Sequence, residues 1–492
     1  MLGGGGQWTG ALIGAAVVLA PVAGHAETLR EALVSAYRTN PDLASARDTQ
    51  RATDENVPIA RAQGLPSLQG SVSYAKTIEK QASGIYDFYP SDTFQANTSF
   101  SQTVYAGGGI RSAIDAAKVR VRQGQASLRS TETGVFSSVV TAYLDVTLNA
   151  AIVALNRSNV QVLEINLKAT SDRFEIGDVT RTDVAQSNSR LAQGRATLRS
   201  AESSLIAARE HFVQVVGHAP DTLDVPPPLA GLPHTPDEAV QIALEINPDL
   251  VAARLATKAA GYDVRTADAS RLPKVAVVGS TAYTNFLGTL PAQAVAVGSF
   301  PHIGTAQIGL QATIPLYQGG LPSAQIRQAQ ANEGAADEHE ISVEREVIAT
   351  VRADFAAYKA ANDSIALNQT AVDAAALSLQ GVRAENTVGN RTILNILDAE
   401  QELVNAQVNL VTARRNAYVA GFNLLAAMGK AQAKDLALDE DLGAALYDPQ
   451  VHYERTERDA NDWHRDPEPV RQSTPTSAIP AQDAKVPPQP LP

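Results

Sequence analysis

The chain has 492 residues, a formal net charge of −12 and no cysteine. The lack of cysteine excludes disulfides, thiolate catalysis, cysteine-bound metals and a lipid on an N-terminal cysteine. Because the chain is acidic and has no basic stretch, we do not expect nucleic acid as a partner. Charged residues make up only 19% and aromatic residues 5%, which is typical of long helices that pack through small side chains.

Residues 1–26 predict a signal peptide. The apolar run from Ala11 to Ala20 is followed by Gly24-His25-Ala26, a typical cleavage site, although no lysine or arginine precedes the run. The alternative is a buried N-terminal helix. No later segment approaches the roughly 20 apolar residues of a transmembrane helix, so we expect any membrane crossing to use strands.

An internal duplication divides the chain into a first repeat, residues 27–233, and a second repeat, residues 234–430. Three landmarks recur in order, at a shift of 207 residues that becomes 212 after an insertion in the second repeat. The matching landmarks are Asn40-Pro41-Asp42-Leu43 with Asn247-Pro248-Asp249-Leu250, Leu65-Pro66 with Leu272-Pro273, and Val104-Tyr105-Ala106-Gly107-Gly108 with Leu316-Tyr317-Gln318-Gly319-Gly320.

Both repeats change their hydrophobic period in the same order. Helical spacing comes first, then two runs that alternate between apolar and polar residues, then helical spacing again. The predicted elements are strands at 67–78 and 94–106, a long helix at 110–175 and a helix at 178–217 in the first repeat, and strands at 274–286 and 304–317, a long helix at 320–387 and a helix at 391–429 in the second.

The long and short helices carry apolar residues at seven-residue spacing, which indicates coiled-coil packing. In the first long helix the series runs without a slip from Val139 to Phe174. Gly177 and Gly389 lie between a long and a short helix and predict the turns of two helical hairpins.

The predicted lengths fit a helical rod with a strand pair at one end. The long helix would span roughly 100 Å at about 1.5 Å per residue, and the shorter helices laid end to end match it. One chain would supply four strands, too few to close a barrel, and open sheet edges are not tolerated in lipid. Oligomerisation is therefore required. Two chains would give eight strands and three would give twelve, and only the larger barrel leaves an obvious aqueous lumen.

These landmarks resemble the TolC-type outer-membrane efflux proteins. The resemblance covers roughly residues 27–429, and it also includes Val388-Gly389-Asn390-Arg391-Thr392. It implies an α+β membrane protein, a homotrimer whose twelve-stranded β-barrel takes four strands from each chain and continues as an α-helical coiled-coil tunnel. It further implies a barrel in the outer-membrane lipid of a Gram-negative bacterium, a large periplasmic part, a periplasmic adaptor protein and an inner-membrane pump of the ABC, RND or MFS type.

The resemblance also implies a gate at the periplasmic tips of the hairpins, where the family closes its tunnel through carboxylates and links between protomers. The matching residues are Thr182, Asp183, Arg391, Asn395 and Asp398. Three copies of Asp398 would form a ring that attracts cations. The alternative for Asp183 and Asp398 is a solvated acid at a helix start, stabilised by the helix dipole. The tips expected to dock the adaptor are Gly177, Val388, Gly389, Arg391 and Thr392.

The connections between strands and helices are expected to be sharp turns. Gly107 and its neighbours follow a strand, as phosphate-binding loops do, but no Gly-Lys-Ser/Thr follows, so a turn is favoured. The turn residues are Pro66, Tyr105, Gly107 and Gly108 in the first repeat and Pro273, Tyr317, Gly319 and Gly320 in the second.

No catalytic or cofactor motif accompanies these features. The eight histidines are scattered, and neither a His-x-x-x-His nor a Gly-x-Ser-x-Gly motif occurs. Glu400 and Glu402 lie among alternating charges and are expected on a solvated helix surface. We therefore expect a passive conduit that is not an enzyme and needs no cofactor. The alternative is an exported coiled-coil envelope protein without channel activity.

Residues 431–492 differ from both repeats. They are charged at first and then rich in proline, glutamine and serine, with an isolated Trp463. This composition predicts a mostly disordered tail.

Overall fold

A computed structural model describes residues 26–79 and 89–486 of the chain. The predicted signal peptide lies, except for Ala26, outside the described residues. The elements of the first repeat are α1 (Leu29–Thr39), α2 (Pro41–Asp54), α3 (Asn56–Ala62), β1 (Ser67–Lys76), β2 (Asp92–Ala106), α4 (Gly109–Glu175) and α5 (Arg181–Val216). Those of the second repeat are α6 (Pro236–Ile246), α7 (Pro248–Asp268), β3 (Lys274–Asn285), α8 (Ala292–Ala296), β4 (His302–Thr313), α9 (Leu321–Thr387) and α10 (Ile393–Ala427), and the tail contributes α11 (Asp439–Leu442) and α12 (Pro449–Thr456).

The Asn-Pro-Asp-Leu landmark is a helix break with a built-in cap. The Asn40 side chain accepts hydrogen bonds from the backbone N–H groups of Asp42 and Leu43, and Pro41 occupies the first turn of α2, where no N–H is needed. The Asn40 amide also donates to the carbonyl of Val215, at 3.0 Å. In the second repeat, the Asn247 amide donates in the same way to the carbonyl of Ala427, at 2.8 Å. In both repeats the motif therefore joins a short helix to the end of the hairpin helix.

The four strands form one antiparallel sheet in the order β1-β2-β3-β4. Its register places most apolar residues of the four strands on one face, in rows such as Leu68 beside Phe100, and Gly279 beside Ile308. The other face is rich in serine, threonine, asparagine and glutamine, and there Gln307 donates to the Ser280 hydroxyl at 2.9 Å. A sheet with one apolar and one polar face is what a wall between lipid and water requires.

Five strand ends differ from the sequence prediction, by one to four residues: the ends of β1, β3 and β4 and the starts of β2 and β4. Strand β4 ends at Thr313 and not at residue 317, because Pro315 has no N–H with which to continue the ladder. Strand β1 ends at Lys76, which pairs with Asp92 at the start of β2. Residues 77–78 of the predicted strand lie beyond that last pair.

The helices form two layers along the rod. Beside the sheet, α4 packs between α2 and α7, and α7 packs on α9; farther away, α4 packs between α5 and α10, and α10 packs on α9. Helix α4 is therefore central, with 23 buried residues, whereas α9 has five. The largest side chains of the core belong to Phe136, Tyr143 and Phe212, which are fully buried.

Helix α4 contains one apolar stretch that corrects the expectation that no segment after the signal peptide is apolar enough for a transmembrane helix. Among the described residues it is the one helix long and apolar enough, by length and composition only, to cross a membrane, and somewhat less than half of the stretch is buried. Its Phe136, Val139 and Tyr143 are buried among α1, α5 and the tail. The buried part of the stretch is apolar because it packs in the protein core.

The prediction of a disordered tail was wrong for residues 431–486. Ala431, Ala433, Leu438 and Leu442 are buried in the main core, and α12 packs on α2. The His452 Nδ1 atom lies 2.9 Å from the fully buried carboxylate of Asp54. These apolar and ionic contacts hold the tail on the helices, and their partners lie hundreds of residues away, where composition does not reveal them.

Candidate functional site

The first hairpin ends in a turn whose acid caps a helix. Gly177 has a φ of +81°, a left-handed conformation that favours glycine. The Asp183 carboxylate accepts hydrogen bonds from the hydroxyl and the backbone N–H of Thr180, at 2.7 and 2.8 Å. These hydrogen bonds hold the pKa of Asp183 below its ordinary value, so the carboxylate is charged. Thr182 is exposed beside it.

The second hairpin has the same capping geometry without the charge. Gly389 has a φ of +81°, and Asn395, at the position equivalent to Asp183, accepts from the Thr392 hydroxyl at 2.9 Å. Arg391 is paired with Glu385, at 2.7 Å. The Val388 side chain next to the turn is 70% exposed. The tips therefore share one backbone design, but only the first carries an acid at the cap.

An ion pair joins the two hairpins near their tips. Asp398 of α10 binds Arg190 of α5, and both side chains are partly exposed. The structure thus places the predicted gate residue Asp398 against a cation of the first repeat. The sequence does not mark Arg190 as the partner, because no local pattern shows which residue of α5 faces α10.

Glu400 corrects the expectation of a solvated surface acid. Its side chain is only 6% exposed and lies 3.0 Å from Arg383. It also accepts a hydrogen bond from the amide of Asn166, at 2.9 Å, which links the second hairpin to α4 of the first. A buried carboxylate needs such partners. The sequence offered one sign of this burial: Arg383 precedes the Gly389 turn and Glu400 follows it, so a hairpin can bring the two side chains together.

The turns between strands and helices differ in what they contact. Gly107 has a φ of +62°, and a Cβ atom there would lie 2.6 Å from the Cβ of Leu272. Gly319, its equivalent with a φ of +61°, has no atom within 4 Å of that position. The first turn, with Gly108 and Tyr105, thus packs beside Pro273 at the start of β3. The second turn, with Gly320 and a Tyr317 that is 89% exposed, lies at a free edge of the chain.

In the sheet and in both helical layers, one outermost element belongs to the first repeat and the other to the second. β1 and β4 each pair with one neighbour only. Leu367 and Leu377 on α9 remain 72% and 70% exposed. An apolar helix face and two unpaired strand edges indicate that further protein contacts complete this surface. Within residues 26–79 and 89–486, no group of three or more metal-binding side chains comes together.

Comparison with known proteins agrees with this arrangement. The sequence model described as "Outer membrane efflux protein" matches residues 32–218 and 239–430. The chain is 34% identical to the outer membrane efflux protein BepC of Brucella suis, over 90% of this chain and 94% of that protein. It is 27% identical to the outer membrane protein TolC of Escherichia coli, over 84% of both. The crystal structure of the CmeC outer membrane channel of Campylobacter jejuni superposes with a TM-score of 0.73, at 16% identity, over 87% of this chain and 89% of that one.

Proposed function

The chain belongs to the outer membrane efflux protein family, and we propose that three copies of it close one twelve-stranded barrel that continues as a helical tunnel. Members of this family are outer-membrane channels of Gram-negative bacteria that serve efflux and type I secretion systems. The chain is accordingly an outer-membrane efflux channel with a large periplasmic part.

The single observation that carries the trimer is the sheet with its two unpaired edges. Four strands with one apolar face cannot stay open in lipid, because the outward-pointing N–H and C=O groups of each edge strand would lack a partner. Pairing β4 of one copy with β1 of the next satisfies both edges and repeats around a ring. Three copies supply twelve strands, enough for a water-filled lumen lined by the polar face.

The duplication predicts the register of the pairing between copies. β2 is equivalent to β4 at a shift of 212 residues, and β1 to β3 at a shift of 207. Ser99 of β2 pairs with Ser280 of β3. The equivalent contact between copies joins Gln311 to Ser73 of the next protomer.

At the far end, the hairpin tips form the gate and the docking site. The ring of three tips contains Thr182, Asp183, Arg391, Asn395 and Asp398. The Arg190–Asp398 pair supports a closing role, because it holds the two hairpins of one protomer together. The exposed tips around Gly177 and Gly389 would dock a periplasmic adaptor that connects the channel to an ABC, RND or MFS pump.

Single-channel recording in planar bilayers, combined with the size of the purified protein in detergent, tests this function. We expect heat-resistant trimers and discrete conductance steps. A stable monomer that produces no conductance in the bilayer would contradict the proposal. It would favour the alternative, an exported coiled-coil envelope protein without channel activity.

A further inference from the structure

One tryptophan of the tail has no role in the proposed channel. Trp463 is 92% exposed, although an indole offers a large apolar surface that usually finds a partner. The sequence contains one other tryptophan, Trp8, within the predicted signal peptide. The exposed indole of Trp463 therefore requires an explanation from its surroundings.

The loop that carries Trp463 is held in a defined conformation. The Asp459 carboxylate accepts from the backbone N–H of Asn461 at 2.9 Å and is paired with His464. The Asn461 side chain accepts from the N–H of Trp463 at 3.1 Å, and the Asn461 carbonyl accepts from the N–H of His464 at 3.1 Å. The short loop, residues 459–464, is therefore a closed network of hydrogen bonds that holds Trp463 on its outside.

The tail contacts place this loop at the base of the sheet. Glu457, just before the loop, is bound by Lys118 at 2.6 Å and accepts from Arg61 through its carbonyl at 3.2 Å. The loop and the start of β1 line one common cleft, which includes Leu68. Leu68 belongs to the apolar face of the sheet and is 72% exposed. The loop thus lies at the level where the apolar face begins.

We infer that Trp463 inserts into the headgroup region of the periplasmic leaflet of the outer membrane and anchors the tail there. This inference rests on the proposed function, because it requires the apolar face of the sheet to lie in lipid. Tryptophan is the side chain that prefers the boundary between membrane and water. Residues 455–466 contain three arginines and four acidic residues, so attraction to anionic lipid does not drive the contact.

Tryptophan fluorescence tests the inference in the full chain. A Trp8→Phe background leaves Trp463 as the sole tryptophan, whether or not the signal peptide is removed. In vesicles of zwitterionic phospholipid we expect emission blue-shifted from that of the unfolded chain. Bromines near the headgroups should quench it more than bromines near the chain ends, and added anionic lipid should change neither result.

A matched control places a tryptophan on the same protein away from the sheet. Val225 is 84% exposed and lies in the segment between α5 and α6, beside the bridge from Leu223 to Glu27. The Val225→Trp substitution is made in a Trp8→Phe, Trp463→Phe background. The fluorescence of the new tryptophan should have the emission maximum of an indole in water. Iodide should quench this fluorescence, and brominated lipid should not change it.

The outcomes separate this inference from the proposed function, because conductance is recorded from the same vesicles. If the channel conducts while Trp463 is open to iodide and insensitive to bromine, the inference is wrong and the function stands. Blue-shifted emission without bromine quenching would show an indole covered by protein, which also overturns the inference. If brominated lipid quenches Trp463 but no conductance is recorded, the contact of Trp463 with lipid is supported and the proposed channel function is contradicted.

Discussion

Arg190 and Asp398 form the ion pair that joins the two hairpins of one protomer near their tips. Exposed ion pairs contribute little to folding, about 0.2–1 kcal/mol. A gate, however, responds to small differences between its closed and open states. An energy of this size is enough to change the open fraction severalfold if the pair exists only in the closed state.

We predict that Arg190→Ala and Asp398→Ala each raise the conductance of the resting channel. Loss of about 0.5–1 kcal/mol from the closed state corresponds to an increase of roughly two- to fivefold in the open fraction. Asp398→Ala should also weaken block by multivalent cations, because it removes a ring of carboxylates. Planar-bilayer recording measures both effects, and the double variant should add little to either single variant.

Arg195→Ala is the matched control for this prediction. Arg195 lies in the same helix and is paired with Glu164, at 2.8 Å, but both residues belong to the first hairpin. Its removal should leave conductance unchanged. If Arg195→Ala opens the channel as much as Arg190→Ala does, the link between hairpins is not what closes the tunnel.

Glu132 makes folding stability depend on pH. Burial raises the pKa of Glu132 above its ordinary value, and its Oε1 atom accepts the backbone N–H of Ala433 at 2.6 Å. The folded chain therefore holds this proton more tightly than the unfolded chain. The contribution of Glu132 to stability is complete below the unfolded pKa of about 4.3 and is lost as the pH rises through the raised value.

Urea unfolding at a series of pH values measures this effect. Relative to wild type, Glu132→Gln should gain stability as the pH rises above about 4.3, because it keeps the acceptor without the buried charge. Glu132→Ala removes the acceptor and should lower the free energy of unfolding by about 1–3 kcal/mol. A difference between wild type and Glu132→Gln that is constant across this pH range would contradict the assignment.

At the scale of elements, α12 is attached through one buried polar contact. The Asp54 side chain is fully buried and has two donors near it, His452 of α12 and Gln50 of its own helix. Tyr453 of α12 packs against Val57 and Val121. The tail is therefore an outer layer of the first repeat, held by a few contacts at its middle.

We predict that His452→Ala releases this layer. The Asp54 carboxylate would lose one of its two partners, at a cost of about 1–3 kcal/mol in the free energy of unfolding. Trypsin should then cleave sooner at Arg455 and Arg458, which limited proteolysis with mass spectrometry resolves. His464→Ala is the control, because the pair of His464 with Asp459 is half exposed. Equal cleavage rates in both variants would show that His452 does not hold α12.

At the scale of the whole molecule, the repeats act as two halves of one wall. Every layer has an edge from the first repeat and an edge from the second, namely β1 with β4, α2 with α9, and α5 with α9. The contact between repeats inside one chain is therefore a template for the contact between chains.

We predict that cysteines at Ser73 and Gln311 form a disulfide between protomers. The chain has no native cysteine, so no native thiol can form another disulfide within it or between its copies. Oxidation should convert the double variant into covalent dimers and trimers on a denaturing gel. Ser73→Cys with Gln307→Cys is the control, since Gln307 lies four residues along β4, about 13 Å away. Cross-linking of the control pair in preference to the first would place the strands in another register.

The sequence alone determined the duplicated architecture, because its signals are local. The Asn-Pro-Asp-Leu landmarks at Asn40 and Asn247, the alternation of the strands and the seven-residue spacing of the long helices each depend on neighbours in the chain. The positive φ of Gly177 and Gly389 is likewise a local requirement of the turns between the long and short helices. The family resemblance supplied the candidate gate residues from the same local motifs.

Only the tertiary structure decided which distant groups meet. Burial of Glu400 between Arg383 and Asn166, the partner of Asp398 and the packing of the tail all depend on how helix faces turn toward one another. Such contacts span up to several hundred residues and leave no periodic mark, because each rests on a single pair of side chains. Composition therefore predicted disorder for a tail that a few buried and ionic contacts hold in place.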